Sequence, residues 1–349
     1  MKNDNTIFTC QNYPVFQNKM YTNELEAISC PKGDIKLVID EKTGIIHNCE
    51  FDEKKVNYDH DYHNEQGLSQ TFSRHLNEIS KLVINHLGKV NIVEIGCGKG
   101  LFLNILSERG VDITGFDPTY QGDDCRIRAE YFTEDTPIKC DGIILRHVLE
   151  HIKNPLDFLK SLKESSPKHC KIFIEVPSLE WIIRKNAWYD IFYEHVNYFR
   201  KQDFSRLFKK ILACDYVFNG QYIYVIANLS DLNVDIEIKD CIQDLKIDIK
   251  NTALDKIDQS KKIVIWGGAS KGVIFAMQLK KLGLKIDHVI DINPMKQDRY
   301  LPATGIKVES PENVINKIPH GENIYIMNSN YLEEIIKMTG NKFNYITIE

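Results

Sequence analysis

The run Val90-Asn91-Ile92-Val93-Glu94-Ile95-Gly96-Cys97-Gly98-Lys99-Gly100 restricts the fold of this 349-residue chain more than any other stretch. Branched apolar residues at 90, 92, 93 and 95 favour a strand. Clustered glycines end it, and Phe102, Ile105 and Leu106 then recur at helical spacing up to Gly110. A strand that turns through glycines into a helix brings backbone N–H groups close to a ligand. Glycine has no side chain to hold the ligand off, and the first helical turn has unpaired donors. The next strand, from Asp112 to Phe116, delivers Asp117 to its carboxyl end, where in a doubly wound sheet an acid can take both hydroxyls of a ribose. Glycines alone also fit a tight turn without a ligand; the second strand and its acid favour a nucleotide-like one.

At this length two or three structural units are expected. Hydrophobic residues make up 43% and charged residues 27%, which describes a globular chain with ample core. The net charge is −5, and a duplex-binding surface would need a basic patch that the sequence does not show. Nucleic acid is therefore not an expected partner. Nine cysteines are scattered with no Cys-x-x-Cys pair, a pattern of idle thiols in a reducing compartment. The N-terminus lacks an apolar signal core, and no apolar run approaches the ~18 residues of a membrane span. A cytoplasmic location and no membrane partner are expected.

The α/β chain divides into a small N-terminal module at 1–66, a Rossmann-like domain at 67–230, a charged connector helix at 231–261 and a second Rossmann-like domain at 262–349. In the first, strand-like Ile35–Ile39 lies between turn signals, and Tyr58 to Gln66 crowds aromatic and polar groups together. An amphipathic helix from Ser69 to Leu87 leads into the glycine-rich strand. Past the apolar strand Cys140–Leu145 stand Arg146, His147, Glu150 and His151, at the ligand-binding edge of such a sheet. His147 and His151 have the i, i+4 spacing of a metal pair on a helix, but no third ligand follows at a recognisable spacing, so no metal is expected.

After strand Ile172–Pro177 comes an aromatic-rich insertion, Trp181, Trp188, Tyr189, Phe192, Tyr193, Tyr198 and Phe199, of a density that means core packing or a lid. Glu194-His195 lies inside it. A carboxylate beside an imidazole can tune and orient it as an acid or base, although a hydrogen-bonded structural histidine is the commoner meaning of such a pair. The last stretch restarts the pattern: strand Ile263–Trp266, turn Gly267-Gly268-Ala269-Ser270-Lys271-Gly272, a helix to about Lys281, a strand to Ile290, and Asp291. The loop from Asp291 to Pro302 carries cations suited to phosphates, or merely solvated ones. Two such turns suggest two nucleotide-like ligands.

Glu94-x-Gly96-x-Gly98-x-Gly100 resembles the first motif of class I S-adenosylmethionine-dependent methyltransferases; dinucleotide enzymes usually lack the leading carboxylate. The HVLEHIKNP segment is similar to the one after the fourth strand of many small-molecule methyltransferases. With GFDP, YEHVNYF, GGASKG and DINPMKQDRYLP, nearly the whole chain resembles the nucleotide-sugar C-methyltransferase family. That resemblance implies S-adenosyl-L-methionine held by Glu94, Gly96, Cys97, Gly98, Gly100, Asp117, Pro118, Arg146 and His147. It implies His195 as a base with Glu194 beside the sugar, Tyr62 as a further catalytic residue, and a nucleotide sugar held by Tyr193, Ser270, Lys271, Lys296, Arg299 and Tyr300.

The implied reaction is deprotonation of a carbon next to a ketone, followed by attack of the enolate on the methyl sulfonium. One departure stands out. The family's N-terminal module is typically a zinc fold with two Cys-x-x-Cys pairs; here Cys10-x-x-Tyr13 and Cys30-x-x-Gly33 keep one thiol each, so packing alone is expected to hold the module. An O- or N-methyltransferase of another small molecule, with His195 orienting a hydroxyl or amine, is the alternative. A cofactor-binding regulatory protein is a third reading, which the Glu194-His195 pair disfavours.

Overall fold

The computed structural model describes residues 6–58, 62, 67–133, 139–236, 247 and 253–349. Cys241, about half of the connector and most of the stretch from Tyr58 to Gln66 lie outside these. The described parts of the connector beyond the short turn at Leu229–Asp231 contain no helix.

The N-terminal module is built from β1 (Thr6–Pro14), the short helix α1 (Glu24–Ile28), β2 (Lys32–Ile39) and β3 (Ile46–Asn48), with β1, β2 and β3 antiparallel neighbours. β1 is hard to see in the sequence because its register slips between Cys10 and Tyr13, which breaks the alternation of apolar and polar residues.

The central domain opens with α2 (Gln70–Leu87), whose N-cap Ser69 accepts the Phe72 N–H at 3.2 Å. Phe72, Leu76, Ile79, Val83 and Leu87 form its buried stripe and pack on Ile92, Leu103, Leu106 and Ile113. Ile79 is fully buried, and its truncation to Ala would cost about 2–5 kcal/mol in lost burial plus cavity. There follow β4 (Asn91–Ile95), α3 (Leu101–Glu108), β5 (Asp112–Phe116), the two-residue β6 (Ile127–Arg128), β7 (Gly142–Arg146), α4 (Pro155–Ser165) and β8 (Lys171–Pro177). Then come α5 (Leu179–Lys185), β9 (Asn197–Tyr198), α6 (Lys201–Leu207), β10 (Ala213–Val217) and β11 (Tyr222–Asn228). Among the described residues seven of these strands form one sheet in the order β10-β11-β8-β7-β4-β5-β6, parallel except for β10 and β11.

β9 belongs elsewhere: it pairs with β3 and becomes the fourth strand of the N-terminal sheet. The aromatic insertion that carries it is core. Trp188, Tyr189 and Tyr193 are fully buried and share one cluster with Tyr13, Ile35, Val273 and Phe275, which knits the N-terminal module to the C-terminal domain.

The C-terminal domain runs β12 (Val264–Trp266), α7 (Lys271–Lys281), β13 (His288–Ile290), β14 (Val308–Glu309), α8 (Pro311–Ile315), β15 (Asn323–Ile326), α9 (Leu332–Thr339) and β16 (Asn344–Thr347). Its sheet is all parallel, in the order β14-β13-β12-β15-β16. In both domains the chain builds outward on one side of the first strand and then on the other, so β4 and β12 each mark a switch point where the crevice for a ligand opens. Among the described residues no helix is long and apolar enough to cross a membrane.

Candidate active site

Each switch point carries its glycine turn. Gly96, Gly98 and Gly100 take φ values of +73°, +55° and +79°. At Gly98 a Cβ would meet nothing within 4 Å, so the left-handed backbone rather than crowding demands glycine there, and its open side faces space. The Gly98 N–H donates to Asp117 Oδ2 at 2.8 Å, while Asp117 Oδ1 takes the Thr119 N–H at 2.9 Å and hydroxyl at 2.7 Å. Asp117 thus ties the turn to the loop after β5. The second turn repeats the device, with the Gly268 N–H donating to Asp291 Oδ2 at 3.1 Å. Cys97 is buried beside Gly115, burial pushes its thiol well up, and Pro118 is exposed.

At the carboxyl edge of the central sheet several buried polar atoms have no hydrogen-bond partner among the described residues: Glu94 Oε2, Arg146 Nη2, His147 Nε2 and both carboxylate oxygens of Glu150. Burial pushes Glu94 up to about 8, against the pull of Arg146 and with a further push from Asp117. Arg146 donates from Nε to Glu175 Oε2 at 2.7 Å and stacks 4.4 Å from the Phe102 ring. Glu175 also binds His75 Nε2 at 2.6 Å; burial opposes its ionisation, but Arg146, His75 and His147 outweigh that and hold it well below the usual carboxylate range.

His147 and His151 do not lie on one α-helix. His147 has φ +54°, and Leu149–His151 form a single 3-10 turn, which brings His147 Nδ1 to 3.4 Å from Glu150 Oε1. The fold groups a different set from the spaced pair and leaves His147 out of it: donor atoms of Glu150, His151 and His195 lie within 4.8 Å of one another, a set that could hold a cation as well as move a proton.

His195 and Glu194 part company. Glu194 turns its carboxylate to Tyr62, whose hydroxyl donates to Oε2 at 2.7 Å, and to the Gln17 N–H at 3.4 Å; it does not orient its neighbour's ring. Burial raises the Glu194 carboxyl against the effects of His151 and Tyr62. The His195 ring faces the cleft and packs edge-on against His151 and Phe192, with centroids at 4.8 and 4.9 Å. Burial, then the nearby His151 and His147, hold it well below the ordinary imidazole range, so it stands neutral. His151 Nδ1 lies 3.0 Å from the Glu194 carbonyl, which can only accept, and 3.1 Å from the Tyr58 hydroxyl; Nδ1 therefore carries a proton.

Across the cleft Lys271, 7% exposed, lies 3.3 Å from Asp190 Oδ2 and 4.3 Å from the Trp181 ring centre, and Lys296 lies 3.8 Å from Asp291 Oδ2. Both lysines and Ser270 line the cleft. The second turn is partly covered: the Ser270 N–H donates to the Gln17 carbonyl at 3.2 Å and its hydroxyl to Asn18 Oδ1 at 3.0 Å.

One expected substrate residue serves the frame instead. Tyr193 is buried in the N-terminal module, its hydroxyl accepting the Asp52 N–H at 2.8 Å and its ring filling the space beside Gly33. Tyr300 exchanges backbone hydrogen bonds with Tyr21, and Arg299, half-buried, precedes it on the same loop. Sequence reasoning missed Gln17, Asn18 and Asp190, because their partners lie far along the chain and no local spacing marks them.

Residues 59–211 match the family model of a methyltransferase domain, and residues 227–344 match that of a C-methyltransferase C-terminal domain. The chain is an S-adenosylmethionine-dependent methyltransferase. Its second domain is of the kind found at the C-terminus of C-methyltransferases. No curated protein matches the sequence. Among solved structures, the 1,6-didemethyltoxoflavin-N1-methyltransferase of Burkholderia thailandensis with bound S-adenosylhomocysteine is similar at 13% identity, over 46% of this chain and 80% of that one, with a TM-score of 0.36. The N-methyltransferase NodS of Bradyrhizobium japonicum is similar at 13% identity, over 45% and 96%, with a TM-score of 0.33.

The residues at the first turn fit the cofactor. S-adenosylmethionine carries an ammonium and a carboxylate at one end, and the edge of the sheet offers an orphaned acid, Glu94, and an orphaned guanidinium nitrogen of Arg146.

Proposed function

We propose that this enzyme methylates a carbon beside the ketone of a keto nucleotide sugar, through an enolate. The observation that carries this reading is the position of His195: a neutral imidazole facing a cleft that runs from the carboxyl edge of the central sheet to the second glycine turn. Carbon has no lone pair with which to attack, so a base must act before the bond can form, whereas a hydroxyl or amine attacks through its lone pair and a base there only receives the released proton.

In this reading Glu94, the turn at Gly96 to Gly100, Asp117, Arg146 and His147 bind the cofactor, which supplies an electrophilic methyl group. Lys271 and Lys296 attract the phosphates of the nucleotide, and Ser270 helps shape the turn beneath them. His195 takes the proton from the carbon next to the carbonyl. The C–H electron pair moves into the enolate, and the enolate carbon would then form the new carbon–carbon bond to the methyl group as the methyl–sulfur bond breaks, the electron pair leaving with sulfur as the neutral thioether of S-adenosylhomocysteine. Glu194 anchors Tyr62 at the edge of the cleft, and Tyr62 closes that side of the sugar pocket. The match of residues 227–344 to a C-methyltransferase C-terminal domain supports carbon as the methylated atom.

Mass spectrometry of products formed from S-adenosylmethionine and a panel of 4-keto nucleotide sugars tests this. A product heavier by one methyl, with the label on carbon, is expected; a methyl on oxygen or nitrogen would overturn it.

A further inference from the structure

Helix α2 begins where the central and C-terminal domains meet, and what holds its first turn comes from the far end of the chain. Glu334, on α9, accepts the Ser69 hydroxyl at 2.7 Å, the Gln70 N–H at 3.2 Å and the Thr71 N–H at 3.1 Å. One carboxylate thus takes three donors at the N-terminus of an 18-residue helix, where unpaired N–H groups and the helix dipole favour a negative charge. Burial works against its ionisation, but the bonds from Ser69, Thr71 and Gln70 prevail and keep the carboxyl below its ordinary range.

That helix start adjoins the cofactor turn. Gly67 sits against Leu101, the first residue of α3: a Cβ at 67 would come within 2.2 Å of Leu101 Cδ2. Further along α2, His75 binds Glu175, which holds Arg146. The segment that brackets the first turn of α2 is therefore linked to the cofactor edge on both sides, by Gly67 before it and by His75 after it, and Leu68, Ser69 and Glu334 all line the cleft. Neither domain alone supplies both halves of this contact.

We propose that Glu334 makes the C-terminal domain part of the cofactor site: it is a positioning residue that clamps the start of α2 over the helix following the glycine turn and so slows the release of cofactor. The clamp acts through α2 and does not touch the cofactor. It rests on the assignment of the first turn to S-adenosylmethionine and is independent of which atom is methylated.

Binding of S-adenosylhomocysteine to the full chain, by calorimetry and by stopped-flow release, tests this without any acceptor substrate. Glu334→Ala should raise Kd by at least fivefold, mainly through faster release. Glu334→Gln, which keeps an acceptor oxygen and loses the charge, should recover part of the loss. Asn330→Ala cuts another contact between the domains, to Gln221 and the Phe218 carbonyl, and should leave Kd unchanged. Circular dichroism and melting establish that each variant is folded. A folded Glu334→Ala with Kd within twofold of wild type would overturn the proposal, and so would an equal loss in Asn330→Ala, which would mean that any loosening of the domain contact suffices.

Discussion

The hydroxyl of Tyr62 donates to Glu194 Oε2 at 2.7 Å, joining residues 132 positions apart. The phenol is half-buried, and desolvation together with the Glu194 charge keeps it protonated well above neutral pH. Tyr62 therefore acts as a hydrogen-bond donor and not as a base. Glu194 in turn uses its carboxylate to hold Tyr62 and its carbonyl to hold His151, and leaves the His195 ring unencumbered.

Removing the hydroxyl while keeping the ring separates these roles. Tyr62→Phe leaves the Glu194 carboxylate short of one buried donor, a cost of about 1–3 kcal/mol. It should lower melting temperature modestly and reduce kcat/KM, without abolishing turnover as loss of His195 would. Turnover in Tyr62→Phe as low as in the His195 variant would assign the proton transfer to the tyrosine.

If Glu94 holds the cofactor as proposed, it gives binding a pH dependence. Burial pushes its carboxyl up to about 8, and in the proposed reading the ionised form pairs with the cofactor's ammonium. Below that value binding must first release a proton, so affinity should rise with pH by up to about tenfold per unit between 6 and 8 and level off above. Calorimetry of S-adenosylhomocysteine across this range, in buffers of different ionisation heat, should show proton release. In Glu94→Gln both effects should vanish; if the slope persists there, another group is responsible.

Asp117 ties the turn together, and in the proposed reading it also takes the ribose. Asp117→Ala frees the Gly98 and Thr119 N–H groups and removes an acceptor for the ribose, which should weaken S-adenosylhomocysteine binding by about 1–3 kcal/mol, the scale of a lost charged hydrogen bond. Unchanged affinity by calorimetry would contradict the assignment.

The Lys271 and Asp190 pair is buried at both ends and joins the C-terminal domain to the aromatic insertion. Removing one partner strands the other's charge, so Lys271→Met should lose about 3–5 kcal/mol of stability, while the double variant Lys271→Met, Asp190→Leu should recover most of it. Denaturant unfolding of the three proteins measures this. If the lysine also attracts the nucleotide, the refolded stability of the double variant should come with a raised KM for the nucleotide sugar.

Both glycine turns, the strands before and after them, and Asp117 and Asp291 can be read from the sequence, because a strand, a turn and a helix lie within some 25 residues and leave their periodicities side by side. α2 is equally plain: the expected helix from Ser69 to Leu87 differs from the observed one only in that Ser69 caps it. What was not legible depends on distant partners. Tyr193 shares a motif with Glu194 and His195, yet only the fold shows that it points into the N-terminal module. The orientation of Glu194 away from His195 is set by Tyr62 and Gln17, and Glu334 looks like any surface acid of an amphipathic helix until α2 is placed against it. The metal question turned the same way: spacing paired His147 with His151, whereas a 3-10 turn and the aromatic insertion bring Glu150, His151 and His195 together.

The central claim is that His195 removes a proton from carbon. NMR of the keto nucleotide sugar in deuterated water, with enzyme and without methyl donor, tests it most directly, because exchange needs the base and not the methyl group. Wild-type enzyme should wash deuterium into the position that is methylated. His195→Asn should remain folded, bind S-adenosylhomocysteine normally, and lose both exchange and turnover by about 10²–10⁴-fold, as for loss of a general base. Active methyl transfer by the wild type with no exchange at that carbon would contradict the account and leave transfer to oxygen or nitrogen.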